Sequence, residues 1–180
     1  MKLLIGLTAV VGFLLSGVAS AQQKNTAQAG YVDLTPVRLS LAMPKDRTIA
    51  LLSEQYEVTP WKGDAEDSWA IAEKTGQHVV IGLVCFANSA LIRAARFWDV
   101  ESDSAYSLAH TISLLLDQLR NEGFTNCTIS TRKAPTPSVE TEVLGFDCGQ
   151  KGIVVQADVY RGKDARAVLV MENLQAKSGH

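Results

Sequence analysis

Apolar and polar residues follow two rhythms along this chain, a period of two over most of its length and spacings of three and four in two places. The clearest helical stretch runs from Ala105 to about Glu122. Ala105, Leu108, Ala109, Ile112, Leu115, Leu116 and Leu119 fall on one face there. Asp103 or Ser104 can cap its start, and Gly123 stands where a left-handed C-terminal cap belongs. A shorter helix is predicted after Pro44, in KDRTIALLSEQY, with Ile49, Leu52 and Tyr56 on one side. Between them, His78 to Ala87 (HVVIGLVCFA) is β-branched and apolar on both faces, as a central strand buried on two sides would be. Asn88-Ser89 reads as a turn and Leu91 to Val100 as the returning strand. Ser68 to Lys74 suits helix by composition, but Trp69-Ala70-Ile71-Ala72 alternates large and small, which favours a strand. Val58 to Asp67, with Pro60, Gly63 and three acids, is expected to be a loop.

The last third reads as an antiparallel meander. Strands are expected over 125–133, 139–148, 153–161 and 165–173, with turns at 134–138, 149–152 and 162–164. Centring the first of these turns at Pro137-Ser138 places Ile129 opposite Phe146, Thr131 opposite Leu144 and Cys127 opposite Cys148. The apolar alternation and the cysteine positions agree on that register. A Cys127–Cys148 disulfide is therefore expected, structural in kind, because neither a CxxC nor a helix N-terminus is there to lower a thiol pKa. The fold class is α+β: a mostly antiparallel sheet, ending in a four-strand meander, packed against one long amphipathic helix in a single domain over 44–177. Residues 22–43 are expected to be a flexible or extended N-terminal segment. Gln22 to Ala29 is a polar leader, and Tyr31 to Met43 is laid along the domain surface.

The first 21 residues change the picture of where the chain works. Lys2, an apolar run from Leu3 to Leu15, and small residues ending in Ala19-Ser20-Ala21 make the three-part pattern of a secretory signal. Cleavage is expected after Ala21, because the run is shorter than the roughly 20 apolar residues of a spanning helix. No membrane span then remains, and the mature chain is placed in the periplasm or secreted. The net charge of −2 becomes one unit more negative when Lys2 leaves. A mildly acidic chain has no electrostatic claim on nucleic acid. No repeat of fixed period is visible. Three cysteines leave Cys85 over, in the most apolar strand, as a buried inert thiol. Asn126-Cys127-Thr128 matches a glycosylation sequon, which matters only in a eukaryotic host.

Candidate chemistry is sparse. His78, His110 and His180 are the only imidazoles, and none has metal-ligand spacing with a second ligand. Glu66-Asp67 and Glu101/Asp103 are acid pairs in loops, read as solvated charge. There is no GxSxG, Walker loop or GxGxxG, so no cofactor, metal or catalytic residue is assigned, and the reading leans away from an enzyme. The expectation is a non-enzymatic interaction or accessory protein with a protein partner in the envelope, an inhibitor, immunity protein or subunit of an envelope machine. Tyr31 and Trp61 are its candidate interaction surface. The alternatives are a carrier of a small apolar ligand held between sheet and helix, with Trp61, Trp69 and Trp98 available to line a groove, and an enzyme using dispersed residues such as His110.

Overall fold

In the computed structural model, residues 30–62, 67–98, 100, 105–162 and 165–176 are described. The expected signal, the leader Gln22–Ala29, the caps Asp103 and Ser104, the acids Glu66 and Glu101, and His180 lie outside these residues. The elements are β1 (Tyr31–Leu34), β2 (Val37–Ser40), α1 (Lys45–Gln55), β3 (Tyr56–Trp61), β4 (Asp67–Glu73), β5 (Val80–Ala87), β6 (Ala90–Trp98), α2 (Ala105–Asn121), β7 (Thr128–Pro135), β8 (Val139–Asp147), β9 (Lys151–Tyr160) and β10 (Ala165–Gln175). β1 and β2 pair only with each other. The other eight strands form one antiparallel sheet in the order β3-β4-β5-β6-β10-β9-β8-β7. The α+β class and the C-terminal meander are as expected, but α2 is not the only helix on the sheet.

The element order repeats. Each half of the sheet is a helix followed by four strands in a meander, α1 with β3–β6 and α2 with β7–β10. The halves meet through their last strands, antiparallel, from Arg93↔Gln175 to Trp98↔Val170. The repetition lies in topology, not in sequence period. Side-chain alternation then divides the sheet into two faces. Val84, Ala94, Leu174, Ile153 and Val170 point to the inner face, where they join two apolar clusters. The first cluster is closed by Val32, Leu34, Val37 and Leu39 of the β1–β2 hairpin and Leu52 of α1. The second is closed by Leu115 and Leu119 of α2. On the outer face the small residues Ser68, Ala70, Cys85 and Ala95 are buried.

Several elements depart from the sequence reading. Residues 31–40 are not surface-laid: the alternation Val32-x-Leu34 and Val37-x-Leu39 buries all four side chains in a hairpin against the sheet. Val58–Asp67 is not a loop throughout, because β3 continues to Trp61. Pro60 is tolerated there since β3 is an edge strand, where a missing N–H need not break a ladder. Asp67–Glu73 is a strand, in line with the alternation. The buried stripe of α2 runs through Thr111, Leu115 and Leu119, with Leu108, Ile112 and Leu116 beside it, while Ala105 and Ala109 are exposed. Gly123 caps this helix at φ 83°, with Phe124 N–H donating to Leu119 O and Gly123 N–H to Arg120 O, a Schellman arrangement. Asn88 and Ser89 turn β5 into β6 with φ of 50° and 59°, the signature of a type I′ hairpin.

Candidate docking edge

α2 packs over β9 and β10, and its Leu116 and Leu119 reach a hollow shared with Phe146 of β8 and Ile129 of β7. β7 is the free end of the eight-stranded sheet, and all eight of its residues are exposed. Its register on β8 is the one expected from the cysteines: Ile129↔Phe146 and Thr131↔Leu144. Cys127 and Cys148 are bonded, with Sγ atoms 2.00 Å and Cα atoms 4.1 Å apart. Such a bond accords with an oxidising compartment.

The phase of the ladder decides which backbone groups remain unpaired. Thr136 N–H donates to Val139 O across the β7–β8 turn at 2.8 Å. Hydrogen-bonded and non-hydrogen-bonded pairs alternate from there. Thr128, Ser130 and Arg132 therefore bond to β8, while Ile129, Thr131 and Lys133 direct N–H and C=O outward. The Cα separation of 4.1 Å at Cys127–Cys148 fits the same phase, since non-hydrogen-bonded pairs lie at about 4.5 Å.

The side chains of those same three residues lie on the inner face, beside two hollows. One, of about 230 Å³, is lined mainly by apolar side chains, Leu116, Leu119, Phe124, Cys127, Ile129 and Phe146, together with Arg120 and Thr125. The other, of about 300 Å³, is lined by Leu144, Val155 and Ala157 together with Thr131, Lys133 and Glu142. Ile129 is the outer lip and is 64 % exposed. The strand's charges are both positive and both near its end. Lys133 is hydrogen-bonded to Glu142, which holds its pKa above the ordinary lysine value. Arg132 makes no ion pair among the described residues. Lysine and proline are common guards of sheet edges. Here Lys133 and Pro135 guard only one end, and Thr128–Thr131 beside the apolar hollow carries neither.

The residues singled out in the sequence do not assemble into one site. Tyr31 is half-buried, its ring 4.1 Å from the Arg38 guanidinium and 5.0 Å from Lys151 Nζ. Trp61 is 43 % exposed, at the opposite edge of the sheet from β7. It lies opposite Ser68 on the outer face, whereas Trp69 packs on the inner cluster and Trp98 lies under Arg96 at 4.0 Å. Cys85 is fully buried and accepts from Ser68 Oγ at 3.2 Å. His110 is exposed and parallel to Tyr106, and His78 Nδ1 is 2.8 Å from Glu57 Oε2 in an exposed pair. Among the described residues no cluster of three or more His, Cys, Asp or Glu side chains is placed to hold a metal ion. Nor, among them, is any helix long and apolar enough to cross a membrane.

A buried charge cluster was not legible in the sequence. Lys151, expected in a turn, begins β9 and is fully buried with its ammonium between two carboxylates. It donates to Glu122 Oε1 and Oε2 at 2.7 and 2.6 Å and lies 2.7 Å from Glu172 Oε1. Gln118 Nε2 donates to both acids, at 2.8 and 3.1 Å. This cluster ties α2 to β9 and β10. At the other half, Tyr56 O–H donates to the carbonyls of Leu34 and Thr35, and burial pushes its pKa up. The Lys45 ammonium beside Asp67 holds that carboxyl below the ordinary range. No family model, no curated protein and no solved structure matches this chain.

Proposed function

We propose that this protein is exported, with cleavage after Ala21, and works in the periplasm or outside the cell as a non-enzymatic accessory protein that binds a protein of the envelope. The observation that carries this reading is the free β7 edge beside an apolar hollow, with Ile129 as its exposed lip. An edge with unpaired backbone groups and adjacent apolar pockets is what protein recognition by strand addition requires. The Cys127–Cys148 bond supports the compartment. Inhibition of an enzyme and membership of an envelope machine are both served by such a surface.

The test is chemical crosslinking of the tagged mature chain in its native envelope fraction, followed by affinity capture and mass spectrometry. Wild type is compared with Ile129→Glu and with Trp61→Ala, a change on the opposite edge. The expected result is one stoichiometric partner that survives Trp61→Ala and is lost with Ile129→Glu. Recovery of bait alone, or of a partner indifferent to Ile129→Glu, overturns the reading.

One observation favours a second reading, a carrier of a small apolar ligand. The hollow over Leu144, Val155 and Ala157 opens on the sheet face that α2 covers. Native mass spectrometry of the purified protein then gives a mass above that of the bare chain.

A further inference from the structure

Resting on the docking reading above, we infer that the partner enters as an extended segment that becomes a ninth strand beside β7, apolar at alternate positions and acidic toward the Arg132–Lys133 end. Three features set this chemistry. Ile129, Thr131 and Lys133 each present one outward donor and one outward acceptor, in the regular spacing of a strand edge. Their side chains share the inner face, so alternate residues of an added strand lie over the apolar hollow walled by Leu116, Phe124 and Phe146. At the far end, Lys133 lies on the inner face and Arg132 on the outer, and β7 contains no acid. Lys133 is already paired with Glu142 of β8, so the uncompensated charge at that end is Arg132 on the outer face. Opposite charges on neighbouring strands attract, so an added strand gains from an acid beside Arg132. A second copy of β7 brings two more cations and no acid, which argues for a different chain as the occupant. Pro135 ends the usable edge.

The ladder phase supplies a control that exposure alone would not. Thr131→Pro removes an N–H that points outward, away from β8, whereas Ser130→Pro removes one that bonds to β8. The first should block strand addition with the fold intact, and the second should damage the fold. Arg132→Glu reverses a charge that has no ion pair among the described residues, so it tests the acid preference without a backbone change.

The experiment is selection of short random peptides, displayed on phage, on the immobilised mature chain with its disulfide intact. Enriched peptides are then titrated against the variants, with thermal unfolding recorded for each. Enriched sequences should carry apolar residues at alternate positions and an acid toward one end. Their affinity should fall about tenfold or more with Thr131→Pro, the scale of one lost backbone bond and its neighbours. Selection on Arg132→Glu should lose the acidic preference. Enrichment without acids, equal affinity for folded Thr131→Pro, or no enrichment at all overturns the inference. The two readings fail separately. An envelope partner lost with Ile129→Glu but kept with Thr131→Pro leaves the docking site standing and removes strand addition.

Discussion

Lys151→Met puts the buried cluster at the α2 interface to a quantitative test. The wild-type ammonium is fully buried and makes three contacts of 2.6–2.7 Å with the carboxylates of Glu122 and Glu172, themselves almost wholly buried. Hydrogen bonds to charged groups contribute roughly 1.5–3 kcal/mol each, so three amount to some 4.5–9 kcal/mol before any offset. The substitution also removes the desolvation cost of the ammonium itself. The balance is the usual cost of breaking a buried pair by removing one partner, about 3–5 kcal/mol. Met fills the volume of the aliphatic stem, so no cavity term is added. Urea unfolding followed by tryptophan fluorescence measures the difference, which corresponds to a Tm lowered by roughly 6–20 °C for a chain of this size. Replacing all three charges together (Lys151→Met, Glu122→Leu, Glu172→Leu) should recover most of the loss, because no buried charge is then left unpaired. A loss below about 1 kcal/mol for Lys151→Met alone would refute the reasoning, as would a triple variant less stable than the single one.

Three further outcomes follow from local features. The double change Cys127→Ser, Cys148→Ser opens a loop of sequence separation 21 and should cost about 3 kcal/mol in urea unfolding, with no such difference once the wild type is reduced. Ser89→Gly places glycine at a φ of 59° and should stabilise by about 0.5–1 kcal/mol in the same assay, since a side chain is strained there. Tyr56→Phe should cost about 1 kcal/mol through the hydrogen bonds to Leu34 and Thr35. Because the folded pKa of Tyr56 is raised, its share of stability is present below the unfolded value of about 10 and is lost as pH rises through the folded value. An alkaline titration of Tm should therefore fall more steeply for wild type than for Tyr56→Phe.

The C-terminal half was the more legible one, for reasons that differ element by element. The β7–β8 register followed from local information: a proline-marked turn, strict alternation, and two cysteines that must face each other. The end of α2 was equally local, set by Gly123. Val58–Trp61 was misread because Pro60 signals a break only when strand neighbours are needed on both sides, and β3 has one. The hairpin at 31–40 carried its alternation in plain view, but four-residue strands around Pro36 give too little of it to distinguish burial from surface contact. Lys151, Glu122 and Glu172 are far apart in sequence, and only the packing of α2 on β9 and β10 brings them together. The docking edge depended on knowing which strand is last in the sheet, and chain order does not say so: β7 is outermost although β10 is the last strand in sequence.

The seam between β6 and β10 has a consequence for how the chain folds. Contacts inside each helix-and-meander half join near neighbours, whereas the seam joins 93–98 to 170–175 and closes a long loop. Local contacts form fastest and non-local strand pairing comes late. Each half therefore completes its meander first, and until the seam zips, β6 and β10 both stand as bare, largely apolar edges of nine and eleven residues. The most dangerous moment for aggregation is that interval, when two molecules can exchange seams as readily as one can close its own.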